Sequence, residues 1–97
     1  MPEKNVQPGY IANKSPVQAR LKRIEGQVRG IQGMVEDERY CIDVLTQIQA
    51  AEAALDKIAL GLLDDHARNC MSGRVSSSKR DEQVEELMGA VGRLVAR

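Results

Sequence analysis

The sequence lacks most of the aromatic side chains that usually fill a sheet-based core. Phe and Trp are absent, and Tyr10 and Tyr40 are the only aromatic residues in a chain of 97. The core must therefore consist of Leu, Ile, Val, Met and Ala, which suits packing between helices better than packing on a sheet. A single domain of this length buries a modest share of its surface, so association between copies is a common means of stabilisation.

Long apolar runs are absent as well. No stretch approaches the about 18 apolar residues of a membrane span, and no signal peptide opens the chain. We therefore expect a cytoplasmic protein with no membrane partner. Because cytoplasmic thiols stay reduced, Cys41 and Cys70 are expected to be free thiols or metal ligands rather than a structural disulfide.

The chain has no net charge, which taken alone argues against nucleic-acid binding. The charges are unevenly distributed, however. Residues 1–35 contain six basic and two acidic side chains, residues 36–65 contain two and eight, and residues 66–97 contain six and four. A neutral protein with this pattern can still present a basic surface, although charge alone is explained equally well by solvated helix faces.

Three segments have the apolar periodicity of amphipathic helices, which predicts an all-α fold. Ser15 and Pro16 suit the N-cap and first position of a first helix, which continues to about residue 35. We place a second helix from about Tyr40 to about Met71, a loop over residues 72–78, and a third helix from about Lys79 to Ala96. Residues 1–14 are expected to form a flexible tail and residues 15–97 a single domain. Helices this long do not form a helix-turn-helix.

The apolar face of the second helix is unusually wide. Its seam advances in steps of four and three residues, through Val44, Ile48, Ala51, Leu55, Ile58 and Leu62, and is flanked by Ile42, Leu45, Ala59 and Leu63. One hairpin neighbour cannot cover such a face, so it favours an oligomer.

His66 and Cys70 have the spacing of two metal ligands on one helix face, because residues i and i+4 lie about 5–6 Å apart between Cβ atoms. Cys41 is the obvious third ligand. In a continuous helix it would lie roughly 37 Å from His66, at about 1.5 Å per residue. The three groups can then meet only between two antiparallel chains, and two-fold symmetry creates two identical sites.

Two thiolates and one imidazole suit a soft, low-coordinate ion such as Cu(I). Zn(II) prefers four ligands and would need a water molecule or a further side chain. A simpler explanation is that the cysteines are buried apolar residues and the histidine is a surface residue; the presence of a third ligand, with an interface to supply it, argues against this.

The sequence resembles the copper-sensitive operon repressor (CsoR) family, within the CsoR/RcnR group of bacterial regulators. The resemblance covers about residues 15–96. It rests on Arg20-Leu21-Lys22-Arg23-Ile24-Glu25-Gly26-Gln27 in the first helix, Tyr40-Cys41-Ile42-Asp43-Val44-Leu45 at the start of the second, and His66 and Cys70 near its end.

The resemblance implies a trigonal Cu(I) site formed by Cys41, His66 and Cys70 between protomers. It also implies antiparallel dimers with a four-helix-bundle core, paired into a flat homotetramer. By the same resemblance, the metal-free repressor binds operator double-stranded DNA, and Cu(I) releases it to derepress copper-resistance genes. Tyr40 and Glu86 match residues that are linked to the metal-bound histidine through hydrogen bonds, as a ligating imidazole requires on its second nitrogen.

For DNA contact, Arg20 and Lys57 match basic residues of the family. Further basic side chains lie nearby in the sequence and would attract phosphates regardless of base sequence, namely Lys14, Lys22, Arg23 and Arg29. A symmetric oligomer would repeat these clusters and match an inverted-repeat operator.

Several alternatives remain open. A nickel or cobalt sensor of this group would need more histidines, including one at position 70, and a persulfide sensor would lack His66. A formaldehyde sensor would use Pro2 and Cys41 but would lack Cys70. An enzyme such as a thiol reductase is disfavoured because the chain has no Cys-x-x-Cys and no βαβ pattern, so neither catalysis nor a small-molecule substrate is expected. A purely structural helical oligomer would not need the Cys and His spacing.

Overall fold

The computed structural model describes residues 9–71 and 76–96, and these residues form helices joined by short turns. A single-turn 3-10 helix, Ile11–Asn13, precedes three α-helices: α1 (Lys14–Glu36), α2 (Cys41–Cys70) and α3 (Ser77–Ala96). The predicted all-α fold is confirmed, and no strand occurs in these two ranges. None of the helices described is long and apolar enough to cross a membrane.

The chain divides into two compact units within α2. The first, Asn13–Ala59, contains α1 and the first part of α2. Its buried residues are Ile24 on α1 with Ala51 and Ile58 on α2. Ala51 and Ile58 belong to the predicted seam of α2, so the spacing of four and three identified the face that α2 buries.

The second unit combines the rest of α2, from Leu60, with α3 and the N-terminal segment that ends at Ala12. Among its described residues, Cys70 on α2 and Gln83 on α3 are buried. The first apolar residue in the α3 sequence is Val84, but Val84 is 42% exposed and Gln83 only 7%. The inward face therefore begins one residue earlier, with a polar side chain.

The start of α1 differs from the prediction. Asn13 is the N-cap residue and Lys14 begins the helix, whereas Ser15 was expected to cap it. The reason is that the 3-10 helix leads directly into α1, so the backbone is already helical before Ser15. The described part of the expected tail, from Gly9 to Lys14, is thus structured, and the rest of that tail lies outside the described residues.

The turn between α1 and α2 is a Schellman motif. The N–H of Arg39 donates to the carbonyl of Met34, and that of Glu38 donates to the carbonyl of Val35, both at 3.0 Å. This pattern requires a left-handed residue after the helix, a position usually taken by Gly. Glu38 occupies it with φ of 57°.

The third helix begins two residues before the predicted Lys79. Ser76 accepts two hydrogen bonds, from the N–H of Lys79 to its Oγ (3.3 Å) and from the N–H of Arg80 to its carbonyl (2.8 Å). It therefore caps α3, and Ser77 and Ser78 belong to the helix rather than to the predicted loop. Residues 72–75 of that loop lie outside the described part of the chain.

Several large apolar side chains of α1 and α2 remain exposed in a single chain. On α1, Leu21 and Val28 are 42% and 47% exposed, and on α2, Leu45 and Leu55 are 50% and 46% exposed. Leu21, Val28 and Leu55 lie on the same helix faces as buried residues, so one chain leaves apolar surface on both helices available for further packing.

Candidate metal centre and nucleic-acid groove

The last two turns of α2 carry two of the three predicted metal ligands. His66 is partly buried, and Cys70, the final residue of the helix, is only 1% exposed. Helical spacing places their Cβ atoms about 5–6 Å apart on one face. A thiol and an imidazole thus share one face of α2, as coordination of a single ion requires.

Cys70 is attached to α3 by a hydrogen bond. Its thiol donates to Oε1 of Gln83 over an Sγ–Oε1 distance of 3.1 Å. Gln83 is not among the site residues predicted from the sequence. A signal was present, since Gln83 lies four residues before Leu87 and eleven before Leu94, on the face that α3 turns inward. A polar residue at the start of an apolar helix face suggests a buried partner.

The N-terminal segment approaches α2 beside His66. A Cβ atom at Gly9 would lie 2.6 Å from the carbonyl oxygen of Asp65 and 3.1 Å from the Cα of His66. Both distances are too short for a side chain at this position, so only glycine permits this approach. The backbone of Gly9 therefore packs directly against the turn of α2 that carries a predicted ligand.

Cys41 is the first residue of α2 and is exposed, and both cysteines are free thiols. Across residues 9–71 and 76–96 of one chain, no three His, Cys, Asp or Glu side chains come together as a metal site. The donor set nevertheless fits a soft metal, since two thiols and one imidazole are available and Cys41 is accessible to a second chain.

Neither of the two predicted hydrogen-bonding partners of His66 is buried in a single chain. Tyr40 precedes α2 and is 70% exposed, and Glu86 is exposed on α3. Between the two candidate ligands, Arg68 forms an ion pair with Asp64 at 2.9 Å. The hydrogen bond that Arg68 donates to the carboxylate of Asp64, together with the negative charge of Asp64, raises the pKa of Arg68 above its usual value.

A basic groove lies between α1 and the first part of α2. It has a volume of about 570 Å³, and three cations line it: Arg20 and Arg23 from α1 and Lys57 from α2. Its other lining residues are small, apolar or amide side chains, namely Ile24, Gln27, Ala50, Ala53 and Ala54. The alanines leave space between the cations, and none of the described residues that line the groove is a carboxylate.

The remaining predicted basic residues lie outside this groove. Lys14 begins α1, and Lys22 is exposed on the same helix. Arg29 is paired with Glu25 at 3.7 Å, with both side chains more than 60% exposed. The structure therefore brings together three of the six predicted DNA-contacting residues, including Lys57, which is far from the other two in sequence.

Comparisons with known proteins identify the family of this chain. A family model described as metal-sensitive transcriptional repressor matches residues 13–93. The copper-sensing transcriptional repressor CsoR of Bacillus subtilis is 51% identical over 75 residues, which cover 77% of this chain and 74% of the relative. The copper-sensing transcriptional repressor RicR of Mycobacterium tuberculosis is 46% identical over 89 residues, covering 90% and 93%.

Two solved structures share the fold. The copper-sensing repressor CsoR with Cu(I) from Geobacillus thermodenitrificans matches with a TM-score of 0.78 and 42% identity, over 88% of each chain. The nickel-responsive transcriptional regulator InrS matches with a TM-score of 0.69 and 37% identity, over 81% of this chain and 89% of InrS. With the family model spanning nearly all of its described helices, this chain belongs to the metal-sensitive transcriptional repressors, a family of regulators rather than enzymes.

Proposed function

We propose that this protein is a Cu(I)-responsive transcriptional repressor. Its metal-free form binds operator DNA, and coordination of Cu(I) by Cys41, His66 and Cys70 releases the operator. The observation that carries the proposal is the donor set on α2, with one free thiol on its first residue, a second on its last, and an imidazole four residues before the second. Thiolates and imidazole are the ligands that soft Cu(I) prefers.

The fold alone does not select the metal, because similar structures include both a copper-sensing and a nickel-responsive protein. The ligands discriminate better. A nickel sensor is expected to use more nitrogen donors, whereas this chain has a single histidine and a cysteine at position 70. The two curated relatives described above are both named copper-sensing repressors, which supports the same assignment.

The metal site is proposed to lie between two antiparallel chains. This arrangement requires α2 to be continuous, and α2 is one helix from Cys41 to Cys70. Cys41 of one chain would then meet His66 and Cys70 of another, giving two sites per dimer. The exposed apolar residues of α1 and α2 supply surface for such a dimer and for its pairing into a tetramer.

DNA binding is assigned to the basic groove of Arg20, Arg23 and Lys57. Three cations without a lining carboxylate favour phosphate oxygens, and each phosphate contact releases counterions from the duplex. Oligomer symmetry would present several copies of the groove to an inverted-repeat operator. We assign residues 15–97 to one regulator domain and place the protein in the cytoplasm, where its thiols stay reduced.

Metal and DNA binding must be reciprocally linked: if Cu(I) lowers operator affinity, the operator lowers Cu(I) affinity by the same factor. Ligation would hold Cys41 of one chain against the end of α2 of another. We propose that, in the oligomer, Tyr40 and Glu86 accept or relay the hydrogen bond donated by the second ring N–H of His66. This bond would connect the imidazole to α3.

The decisive experiment measures operator affinity of the full chain without and with one equivalent of Cu(I), under anaerobic conditions. We expect tight binding by the metal-free protein and a loss of about 5- to 150-fold with Cu(I), the range typical of allosteric coupling. Cys70→Ala should bind the operator normally and fail to respond to Cu(I). A wild-type response in Cys70→Ala, or release by Ni(II) and not by Cu(I), would refute the proposal.

A further inference from the structure

The contact between Cys70 and Gln83 is not explained by packing alone. Gln83 is a polar residue on the inward face of α3, its side chain is buried, and its Oε1 accepts a hydrogen bond from the thiol of Cys70. Burial of an amide is unfavourable unless it is hydrogen-bonded, so the position has a cost that an apolar residue would avoid. The partner it selects is a proposed metal ligand.

The two groups have complementary hydrogen-bonding capacity in both states of the sulfur. A thiol can donate, and Oε1 of Gln83 accepts from it at 3.1 Å. Cysteine binds metals as a thiolate, which has no proton to donate and only accepts. The Gln83 amide also carries the Nε2 donor group, so a half-turn of the amide exchanges acceptor for donor without moving α3.

We propose that Gln83 is a positioning residue for the metal site, an inference that rests on the proposed Cu(I) function. In the metal-free protein its carbonyl oxygen accepts from the Cys70 thiol. In the metal-bound protein the thiol proton has passed to solvent, and Nε2 of Gln83 donates to the thiolate. The end of α2 is thereby held against α3 in both states, and the thiolate charge is partly compensated inside a buried site.

Gln83 and Glu86 are proposed to act on different ligands of the site. Glu86 is exposed and is predicted to act on the imidazole, whereas Gln83 is buried and contacts the sulfur within the same chain. Gln83 therefore contacts the proposed ligand Cys70 within a single chain, before a second chain supplies Cys41. Hydrogen bonds to metal ligands of this kind commonly account for 10- to 100-fold in metal affinity, roughly.

The test uses two substitutions that keep the length of the side chain. Gln83→Met removes both donor and acceptor, and Gln83→Glu keeps the acceptors but provides no donor for a thiolate. We expect Cu(I) affinity, measured by competition with a chromophoric chelator, to fall about 10- to 100-fold in Gln83→Glu and by a smaller factor in Gln83→Met. Metal-free operator affinity and oligomer size should be unchanged. Gln49→Glu, which adds the same charge at an exposed position of α2, is the matched control.

A second measurement needs no substitution. In protein labelled with ¹⁵N-glutamine, the two Nε2 protons of Gln83 should shift and exchange more slowly with solvent when one equivalent of Cu(I) is added. Unchanged Gln83 signals, or wild-type Cu(I) affinity in both Gln83 variants, would overturn the inference. The proposed Cu(I) function itself is refuted if Cys70→Ala retains wild-type Cu(I) affinity, whatever the Gln83 variants show. Loss of Cu(I) binding in Cys70→Ala with wild-type Cu(I) affinity in both Gln83 variants defeats only the role of Gln83.

Discussion

At the scale of single residues, the backbone conformation explains the residue type at some positions and not at others. Glycine is required at Gly9, where a Cβ atom would collide with the backbone of α2. At the end of α1 the opposite occurs, because Glu38 adopts the left-handed conformation that favours glycine. The sequence between the first two predicted helices is compatible with a turn, but a sequence pattern does not reveal the sign of a φ angle.

Replacing Glu38 with glycine should stabilise the protein. A left-handed conformation costs a residue with a Cβ about 1–2 kcal/mol, and part of this gain is offset by the greater freedom of glycine in the unfolded chain. We expect Glu38→Gly to raise the free energy of unfolding by about 0.5–1 kcal/mol, measured by denaturant unfolding at fixed protein concentration.

The control for this substitution is Glu38→Val. It removes the same charge but places a β-branched residue at φ of 57°, so it should lower the free energy of unfolding. If Glu38→Gly and Glu38→Val change stability equally, the effect is one of charge, and the conformational argument is wrong.

At the scale of elements, the helix interiors were predictable and their ends were not. Apolar spacing located α1, α2 and α3, because a buried stripe must recur with the helical period. The start of α3 was misplaced because a run of serines is typical of both loops and helix caps. Only the two hydrogen bonds to Ser76 distinguish the capping serine from Ser77 and Ser78.

Removing the cap of α3 should destabilise the helix that contacts Cys70. Ser76→Ala deletes the oxygen that accepts from the N–H of Lys79, and we expect a loss of about 1 kcal/mol in the free energy of unfolding. Ser78→Ala, inside the helix and exposed, is the matched control and should change stability much less. Equal effects at the two serines would place the cap elsewhere.

The α1–α2 pair should make the main phosphate contacts. Arg20→Gln removes one cation from the groove, so operator affinity should fall. The slope of the logarithm of affinity against the logarithm of salt concentration should become shallower by about one for each phosphate contact removed. Cu(I) affinity should stay the same. Binding is followed by fluorescence anisotropy over a salt series.

Lys22→Gln provides the comparison for Arg20→Gln, because it removes the same charge from α1 outside the groove. We expect a smaller loss of affinity and a smaller change in slope. A loss as large as that of Arg20→Gln would mean that the basic face of α1 acts as a whole and that the groove has no special role.

At the scale of the whole molecule, the proposed site depends on more than one chain, and mixed oligomers test this directly. Dimers that combine a Cys41→Ala chain with a His66→Ala/Cys70→Ala chain should contain one site with all three ligands and one with none. We expect such dimers to bind half as much Cu(I) as wild-type dimers, measured by anaerobic titration after affinity purification with two different tags.

Each parental variant alone serves as the control, since neither homodimer can assemble three ligands and neither should bind Cu(I) tightly. If the mixed dimers also fail to bind Cu(I), the ligands do not come from two chains, and the antiparallel arrangement must be abandoned.

The sequence by itself determined the helical class, the approximate extent of each helix, the candidate ligands on α2 and the family. These depend on local periodicity, residue chemistry and recognisable motifs, all of which a linear sequence contains. Tertiary structure alone decided that Lys57 joins Arg20 and Arg23 in one groove, and that Gln83 contacts Cys70. Both arrangements involve residues on different helices. They depend on how the helices pack against one another, and the spacing of residues within a single helix does not specify that packing.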